Sequence, residues 1–78
     1  MARVEIGQHL TTDTRVCGGR LIFKGTRILV RNILGMIAGG YDTERVLAAY
    51  PELTAEDVAA ALEYAGQVVD EEKVIRRA

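Results

Sequence analysis

Residues 30–69, VRNILGMIAGGYDTERVLAAYPELTAEDVAAALEYAGQVV, decide the fold of this chain. Apolar residues recur there at helical spacing in three segments, and each segment is bounded by residues that start or stop helices. Gly39-Gly40 ends the first segment as a C-terminal cap, and Pro51 ends the second because it disfavours helical geometry in the preceding residue. The stretch therefore predicts three helices, of which the first two are short.

The starts of the second and third helices carry the strongest local signals. Asp42 or Thr43 is the expected N-cap of the second helix. Thr54 is followed three residues later by Asp57, a capping box with aspartate in place of glutamate or glutamine. The third helix should continue into the C-terminal segment, although Gly66, which costs about 1 kcal/mol relative to alanine inside a helix, predicts a kink or fraying there.

The residues before the helices predict a short β-hairpin. Gly18-Gly19 supplies the positive φ angles of a two-residue turn, and Leu21-Ile22-Phe23 suits a strand. Residues 1–14 have no clear hydrophobic period. The predicted organisation is an N-terminal arm at 1–14, a hairpin and three-helix domain at 15–66, and a helical extension at 67–78. The fold class is mostly α with a short N-terminal β-hairpin, and the tight connection at residues 50–53 is typical of a helix-turn-helix.

The chain has 78 residues, 49% of them hydrophobic, which predicts one small globular domain. Its single cysteine cannot form an intrachain disulfide, so only a small core stabilises the fold. Such a chain often completes its burial by dimerising or by docking on a partner. No apolar run approaches the roughly 20 residues of a membrane span, and the N-terminus lacks a secretory signal. We therefore expect no membrane association and a cytoplasmic location.

The formal net charge of −1 conceals an asymmetry between the two halves of the chain. Residues 1–40 carry six basic and two acidic side chains, whereas residues 41–78 carry four basic and nine acidic ones. Residues 14–31 contain five positive charges and no negative one. This segregation indicates a surface that faces phosphate, or head-to-tail self-association, unless the charges only form solvated faces.

The sequence contains few residues that could catalyse a reaction. One histidine, His9, and one thiol, Cys17, have no third group beside them, and two ligands cannot complete a structural zinc site. Lys24 precedes Gly25, whereas the lysine of a phosphate-binding P-loop follows the last glycine. Paired carboxylates would need an apolar pocket that a chain of this size hardly encloses. We therefore predict no catalytic residues, no metal, no cofactor and no small-molecule substrate, and a recognition function instead of an enzyme.

Two recognition surfaces are predicted. Arginine binds phosphate well because its planar fork presents two parallel donors. The candidate DNA-binding residues are Arg15, Arg20, Lys24, Arg27, Arg31 and Arg45. The third helix is a poor groove reader because it is acidic, so it should face a protein. Its candidate residues for a homodimer or heteromer interface are Val58, Leu62, Ala65, Val69 and Ile75.

The polar signature resembles a known family. The stretches Cys17-Gly-Gly-Arg20, Phe23-Lys-Gly-Thr-Arg-Ile28 and Tyr50-Pro-Glu-Leu-Thr54, with Gly40-Tyr-Asp between them, are similar to the small prokaryotic domain of unknown function numbered 433. The similarity covers about residues 5 to 66. Leu21 and Leu29 stand where these proteins more often have proline, which favours regular strand pairing.

The resemblance implies a homeodomain-like or winged helix-turn-helix fold and a place in type II toxin–antitoxin operons. Such an antitoxin would bind a PIN-like ribonuclease toxin and double-stranded operator DNA. The alternative is a dimeric adaptor or structural domain that binds only protein. Arg27 then has two open roles, phosphate contact or bonding of backbone carbonyls. Residues 67–78 also have two possible roles: they form a toxin-binding arm, or they extend the third helix across a dimer partner.

Overall fold

The structure, a computed structural model, describes residues 3–72, with side chains described for residues 7–69. A small antiparallel sheet precedes three helices. The elements in chain order are β1 (Arg3–Ile6), β2 (Leu10–Asp13), a 3₁₀ turn (Cys17–Gly19), β3 (Ile22–Phe23), α1 (Val30–Ala38), α2 (Thr43–Ala49) and α3 (Ala55–Glu72). The fold class predicted from the sequence, mostly helical with a short N-terminal hairpin and three helices, is confirmed.

The hairpin lies earlier in the chain than predicted. β1 and β2 pair antiparallel in the register Ile6 with Leu10, so the connecting turn is Gly7–His9. β2 then pairs with β3 through Leu10 with Phe23, which gives the strand order β1-β2-β3. Gly18 and Gly19 have the predicted positive φ angles of 68° and 83°, but they lie in the 3₁₀ turn and not in a hairpin. The location predicted for the hairpin was therefore wrong.

Asp13 explains this difference. Its carboxylate accepts a hydrogen bond from the backbone N–H of Arg15 at 2.9 Å, and its carbonyl accepts one from the N–H of Val16 at 2.8 Å. An aspartate bonded in this way to the backbone ahead of it starts a turn. The chain therefore leaves the strand at Asp13, before it reaches the glycine pair.

The loop from β3 to α1 is shaped by Gly25 and Thr26. Gly25 has a φ of 82°, a conformation that side chains rarely adopt. The Thr26 hydroxyl donates to the carbonyl of Phe23 at 2.8 Å and accepts from the N–H of Ile28 at 2.9 Å. A hydrogen bond of 3.1 Å from the N–H of Phe23 to the carbonyl of Ile28 closes the loop. The chain therefore bends at Gly25 between β3 and α1.

The predicted helix boundaries are confirmed by their caps. Gly39 is the C-cap of α1, and the Asp42 carboxylate caps α2 by accepting from the N–H of Arg45 at 2.9 Å. α2 ends at Ala49, two residues before Pro51. α3 runs from Ala55 to Glu72 as one helix, so the kink or fraying expected at Gly66 is wrong. The cost of one glycine is too small to interrupt a helix whose propagation is cooperative.

The core lies between the sheet and all three helices. Its buried apolar residues come from every element after β1 except the 3₁₀ turn: Leu10, Ile22, Phe23, Val30, Ile33, Val46, Leu53, Val58 and Ala61. Leu53 and Val58, which lie on either side of the start of α3 at the positions of a hydrophobic staple, are both buried. Burial of these side chains fixes α3 against α1 and the sheet, which positions the cavities described next.

Candidate functional site

An apolar cavity opens between the start of α1 and the middle of α3. Leu21, Val30, Leu34 and Tyr64 line it, and its volume is about 310 Å³. The backbone builds it: the N–H of Val30, at the first turn of α1, donates to the carbonyl of Leu21 at 3.0 Å. This bond holds residues 20–21 beside residues 30–31, so two segments that are ten residues apart form one wall.

Two arginines complete the lining of this cavity, which we call the Tyr64 cavity. Arg20 follows the 3₁₀ turn and Arg31 lies in the first turn of α1, and both side chains are exposed. Among the side chains of residues 7–69, no acidic one lines the cavity. Two positive charges therefore flank an apolar surface without a neutralising carboxylate in its lining.

The other predicted basic residues lie elsewhere and have other contacts. Arg15 forms a two-point ion pair with Asp13, Nε to Oδ1 and Nη2 to Oδ2, each at 3.0 Å. This hydrogen bonding, with the charge of Asp13, raises the pKa of Arg15 above its usual value. The Lys24 ammonium donates to the carbonyl of Gly7 at 3.2 Å, and the Arg45 guanidinium lies 4.6 Å from the centre of the Tyr41 ring. Of the six basic candidates, the structure places Arg20 and Arg31 at the Tyr64 cavity.

A second cavity lies on the other side of the same tyrosine. The β1–β2 turn and α3 enclose about 320 Å³, lined by Gly7, Gln8, His9, Leu10, Ala60, Glu63, Tyr64 and Gln67. Its lining is more polar than that of the Tyr64 cavity. Tyr64 lies at the boundary of the two cavities, so one aromatic side chain is central to this face of the molecule.

His9 bonds the β1–β2 turn to the start of α3. Its Nδ1 lies 2.7 Å from Oδ1 of Asp57, and the ring nitrogen is the donor because a carboxylate only accepts. Oδ2 of Asp57 accepts from the N–H of Thr54 at 3.0 Å, and the Thr54 hydroxyl accepts from the N–H of Asp57 at 3.2 Å. The predicted capping box is confirmed, and Asp57 has a second role that the sequence did not indicate.

Asp57→Ala is expected to destabilise the domain by about 2 kcal/mol, because it removes a helix cap and the acceptor of His9. His9→Ala should cost about 1 kcal/mol, since only one hydrogen bond is lost. Urea unfolding followed by circular dichroism measures both values. Glu56→Ala is the matched control, an exposed neighbour expected to change stability by less than about 0.5 kcal/mol. Additive effects of the two substitutions would contradict the coupling of His9 to Asp57.

The predicted interface residues of α3 divide into three groups. Val58 is 1% exposed and belongs to the core of the protomer, while Ala65 is half-buried. Leu62 and Val69, which are large apolar side chains, are 46% and 54% exposed. Ile75 lies outside the described residues. α3 contains six acidic residues and no basic one, so the exposed leucine and valine lie on an acidic helix.

Comparisons with known proteins bear on the family. The family model described as Protein of unknown function (DUF433) matches residues 10–65. This chain belongs to the DUF433 family. A crystal structure of a DUF433 member protein from Anabaena variabilis is similar, with a TM-score of 0.73 and 35% sequence identity, over 85% of this chain and 68% of that chain. The uncharacterized protein y4eO of Sinorhizobium fredii is 36% identical over 56 residues, which are 72% of this chain and 25% of that protein. This chain thus spans a quarter of that relative's length.

Several residues of the DUF433 resemblance have structural roles here. Gly25 and Thr26 shape the loop before α1, and Thr54 with Asp57 caps α3. Arg27 is exposed, and its backbone carbonyl accepts the Cys17 thiol at 3.4 Å. The exposed side chain does not match the interpretation in which a buried Arg27 holds the hairpin to the helices.

Among the side chains of residues 7–69, no group of three or more histidine, cysteine or acidic residues is placed to hold a metal ion. The described helices include none that is long and apolar enough to cross a membrane. Leu21, Leu34 and Tyr64 were not among the predicted site residues. Helical spacing places Leu34 on the apolar stripe of α1. No local sequence signal shows, however, that it lies beside Tyr64, thirty residues further along the chain.

Proposed function

We propose that this DUF433 domain is an antitoxin of the type II class, which neutralises a PIN-like ribonuclease by binding it directly. The domain acts without catalysis and without a cofactor. The observation that carries this proposal is the exposed apolar pair Leu62 and Val69 on a helix with six acidic residues and no basic one.

The chemistry of α3 suits a protein partner with a basic surface. An exposed apolar stripe gains free energy when a partner covers it, at about 25 cal/mol per Å² of apolar surface. A ribonuclease needs a basic rim around its active site to hold RNA. The carboxylates of α3 would lie against that rim, while Val69 enters a groove, as amphipathic helices do in other complexes.

The direct test is titration calorimetry with the PIN-like nuclease encoded beside the gene, together with an assay of RNA cleavage. The domain should bind the nuclease and inhibit cleavage in proportion to the complex formed. Affinity should fall as salt rises, because the contact joins opposite charges. An absence of both binding and inhibition would refute the antitoxin function.

Truncation after Gly66 tests which role the end of α3 has. The truncated protein should keep self-association and should no longer inhibit the nuclease, because it loses Val69 and the acidic run that follows. Analytical ultracentrifugation and the cleavage assay measure the two properties. The matched control is truncation after Glu72, which retains all of the described helix. If truncation after Gly66 abolishes self-association instead, the segment belongs to the dimer and is not a toxin-binding arm.

Binding of operator DNA is a second candidate function. It is favoured by the five positive charges of residues 14–31, two of which lie at the Tyr64 cavity. The acidic α3 argues against insertion of the second helix of the helix-turn-helix into the major groove, because phosphates repel its charges. DNA contact would therefore come from the basic segment, through phosphates.

Arg20→Ala and Arg31→Ala should each weaken binding to the gene's own upstream DNA and to unrelated DNA alike. Each should also reduce the slope of log affinity against log salt concentration by about one unit. Electrophoretic mobility assays at two salt concentrations measure both quantities. Glu44→Ala, an exposed side chain on α2, is the control for a folded variant. Unchanged affinity in both arginine variants, or no shift by the wild type, would favour the protein-only adaptor.

A further inference from the structure

We infer that the Tyr64 cavity is the docking site for an acidic segment of a protein partner that inserts one apolar side chain between Arg20 and Arg31. This inference rests on the proposed protein-binding function and adds a second contact surface to that of α3. It differs from the proposed α3 contact in both shape and charge.

The interior of the cavity selects an apolar group. Leu21, Val30, Leu34 and Tyr64 supply its walls, and Val30 is 2% exposed and forms buried floor. A volume of about 310 Å³ is at the lower end of the range of ligand pockets, about 300–1,000 Å³, so it suits an inserted side chain better than a cofactor. A phosphate group would gain nothing from such walls, because they offer few hydrogen-bond donors.

The rim selects carboxylates. Arg20 and Arg31 are exposed, and the lining that the described side chains form contains no acidic group. Each guanidinium presents a planar pair of donors that matches a carboxylate. Tyrosine and arginine are also the residues that most often dominate the binding energy of interfaces. A partner segment with an apolar side chain between two carboxylates complements all three groups.

The chain's own C-terminal residues do not have this chemistry. Residues 73–78 carry Lys73, Arg76 and Arg77 and no acidic side chain. These positive charges would meet the positive charges of Arg20 and Arg31. Charge complementarity therefore favours an acidic segment of another protein over residues 73–78. Docking of a second copy through its acidic α3 would overturn the inference, and dilution of the labelled protein alone would then shift the same four residues.

The test is an NMR titration of the full-length, ¹⁵N-labelled protein with the acetylated and amidated tripeptide Glu-Leu-Glu. We expect saturable shifts at Arg20, Leu21, Leu34 and Tyr64, with a dissociation constant in the millimolar range for so small a probe. Arg20→Ala or Arg31→Ala should weaken binding about tenfold each. Asn32→Ala, an exposed neighbour on α1 outside the lining, should leave the affinity unchanged.

Two control peptides separate the parts of the inference. Glu-Gly-Glu keeps the charges and lacks the apolar group, whereas Lys-Leu-Lys keeps the apolar group and reverses the charges. Both should bind at least about tenfold more weakly than Glu-Leu-Glu. Equal binding of either control, or shifts only at other residues, would overturn the inference. So would a DNA duplex that shifts these four residues while Glu-Leu-Glu does not, because the surface would then bind nucleic acid.

The nuclease distinguishes failure of this inference from failure of the proposed function. If it binds the wild type and the Arg20→Glu/Arg31→Glu variant equally, the cavity is not its docking site, although the protein-binding function stands. If it binds the wild type at least about tenfold more tightly, the inference is supported. If it does not bind the wild type at all, the antitoxin function fails, and the peptide titration alone decides about the cavity.

Discussion

The Leu62→Asp protein is expected to remain folded and to lose self-association by about 100-fold or more. Leu62 is 46% exposed, so the fold does not depend on its burial. In an assembly, the new carboxylate would be buried without a partner, which costs about 3–5 kcal/mol, and 1.4 kcal/mol corresponds to a factor of ten.

Sedimentation equilibrium at tens of micromolar, together with thermal unfolding, separates these two effects. Gln67→Asp is the matched control, because it places the same charge on an exposed position of α3 that lies about 140° around the helix from Leu62. It should leave self-association unchanged. A wild-type protein that is monomeric under these conditions would refute the predicted homodimer, and the nuclease would then be the partner that covers Leu62.

Phe23→Ala is expected to destabilise the domain by about 3–5 kcal/mol and to leave much of the protein unfolded at 25 °C. Phe23 is the one phenylalanine of the chain and is 0% exposed, in contact with the buried residues of the sheet and helices. A domain of this size has a free energy of unfolding near the lower end of the range of about 5–15 kcal/mol, so one such cavity removes most of it.

Urea unfolding followed by circular dichroism measures this loss. Glu52→Ala is the control, because it changes an exposed side chain outside the core and outside the predicted interfaces, and it should change stability by less than about 0.5 kcal/mol. An unfolding midpoint of the Phe23→Ala protein close to that of the wild type would contradict the placement of this side chain at the centre of the core.

Features that depend on neighbours within four residues could be predicted from the sequence. The caps at Gly39, Asp42 and Thr54 and the end of α2 before Pro51 are in this class. Each of them satisfies or removes backbone hydrogen-bonding groups at a helix end, and the partners are close in sequence. The three helices and the acidic character of α3 follow from the same local information.

Features that depend on pairing across the chain could not be predicted in this way. The hairpin was placed at Gly18-Gly19 because these glycines suit a tight turn, and their positive φ angles are correct. Strand register, however, depends on which side chains of each strand face the core. Here β2 pairs with β3, and the 3₁₀ turn lies in the connection between them. The turn at Asp13, bonded by its own carboxylate, decided the earlier exit from the strand.

The sequence by itself determined the family, the three helices with their caps, and the acidic character of α3. The tertiary structure alone decided which side chains meet. It joined His9 to Asp57 across 48 residues, left Leu62 and Val69 outside the core while it buried Val58, and placed Arg20 and Arg31 around Tyr64. The physical reason is that helical periodicity determines on which side of its own helix a residue lies. Which other element contacts that side depends on the packing of the whole core.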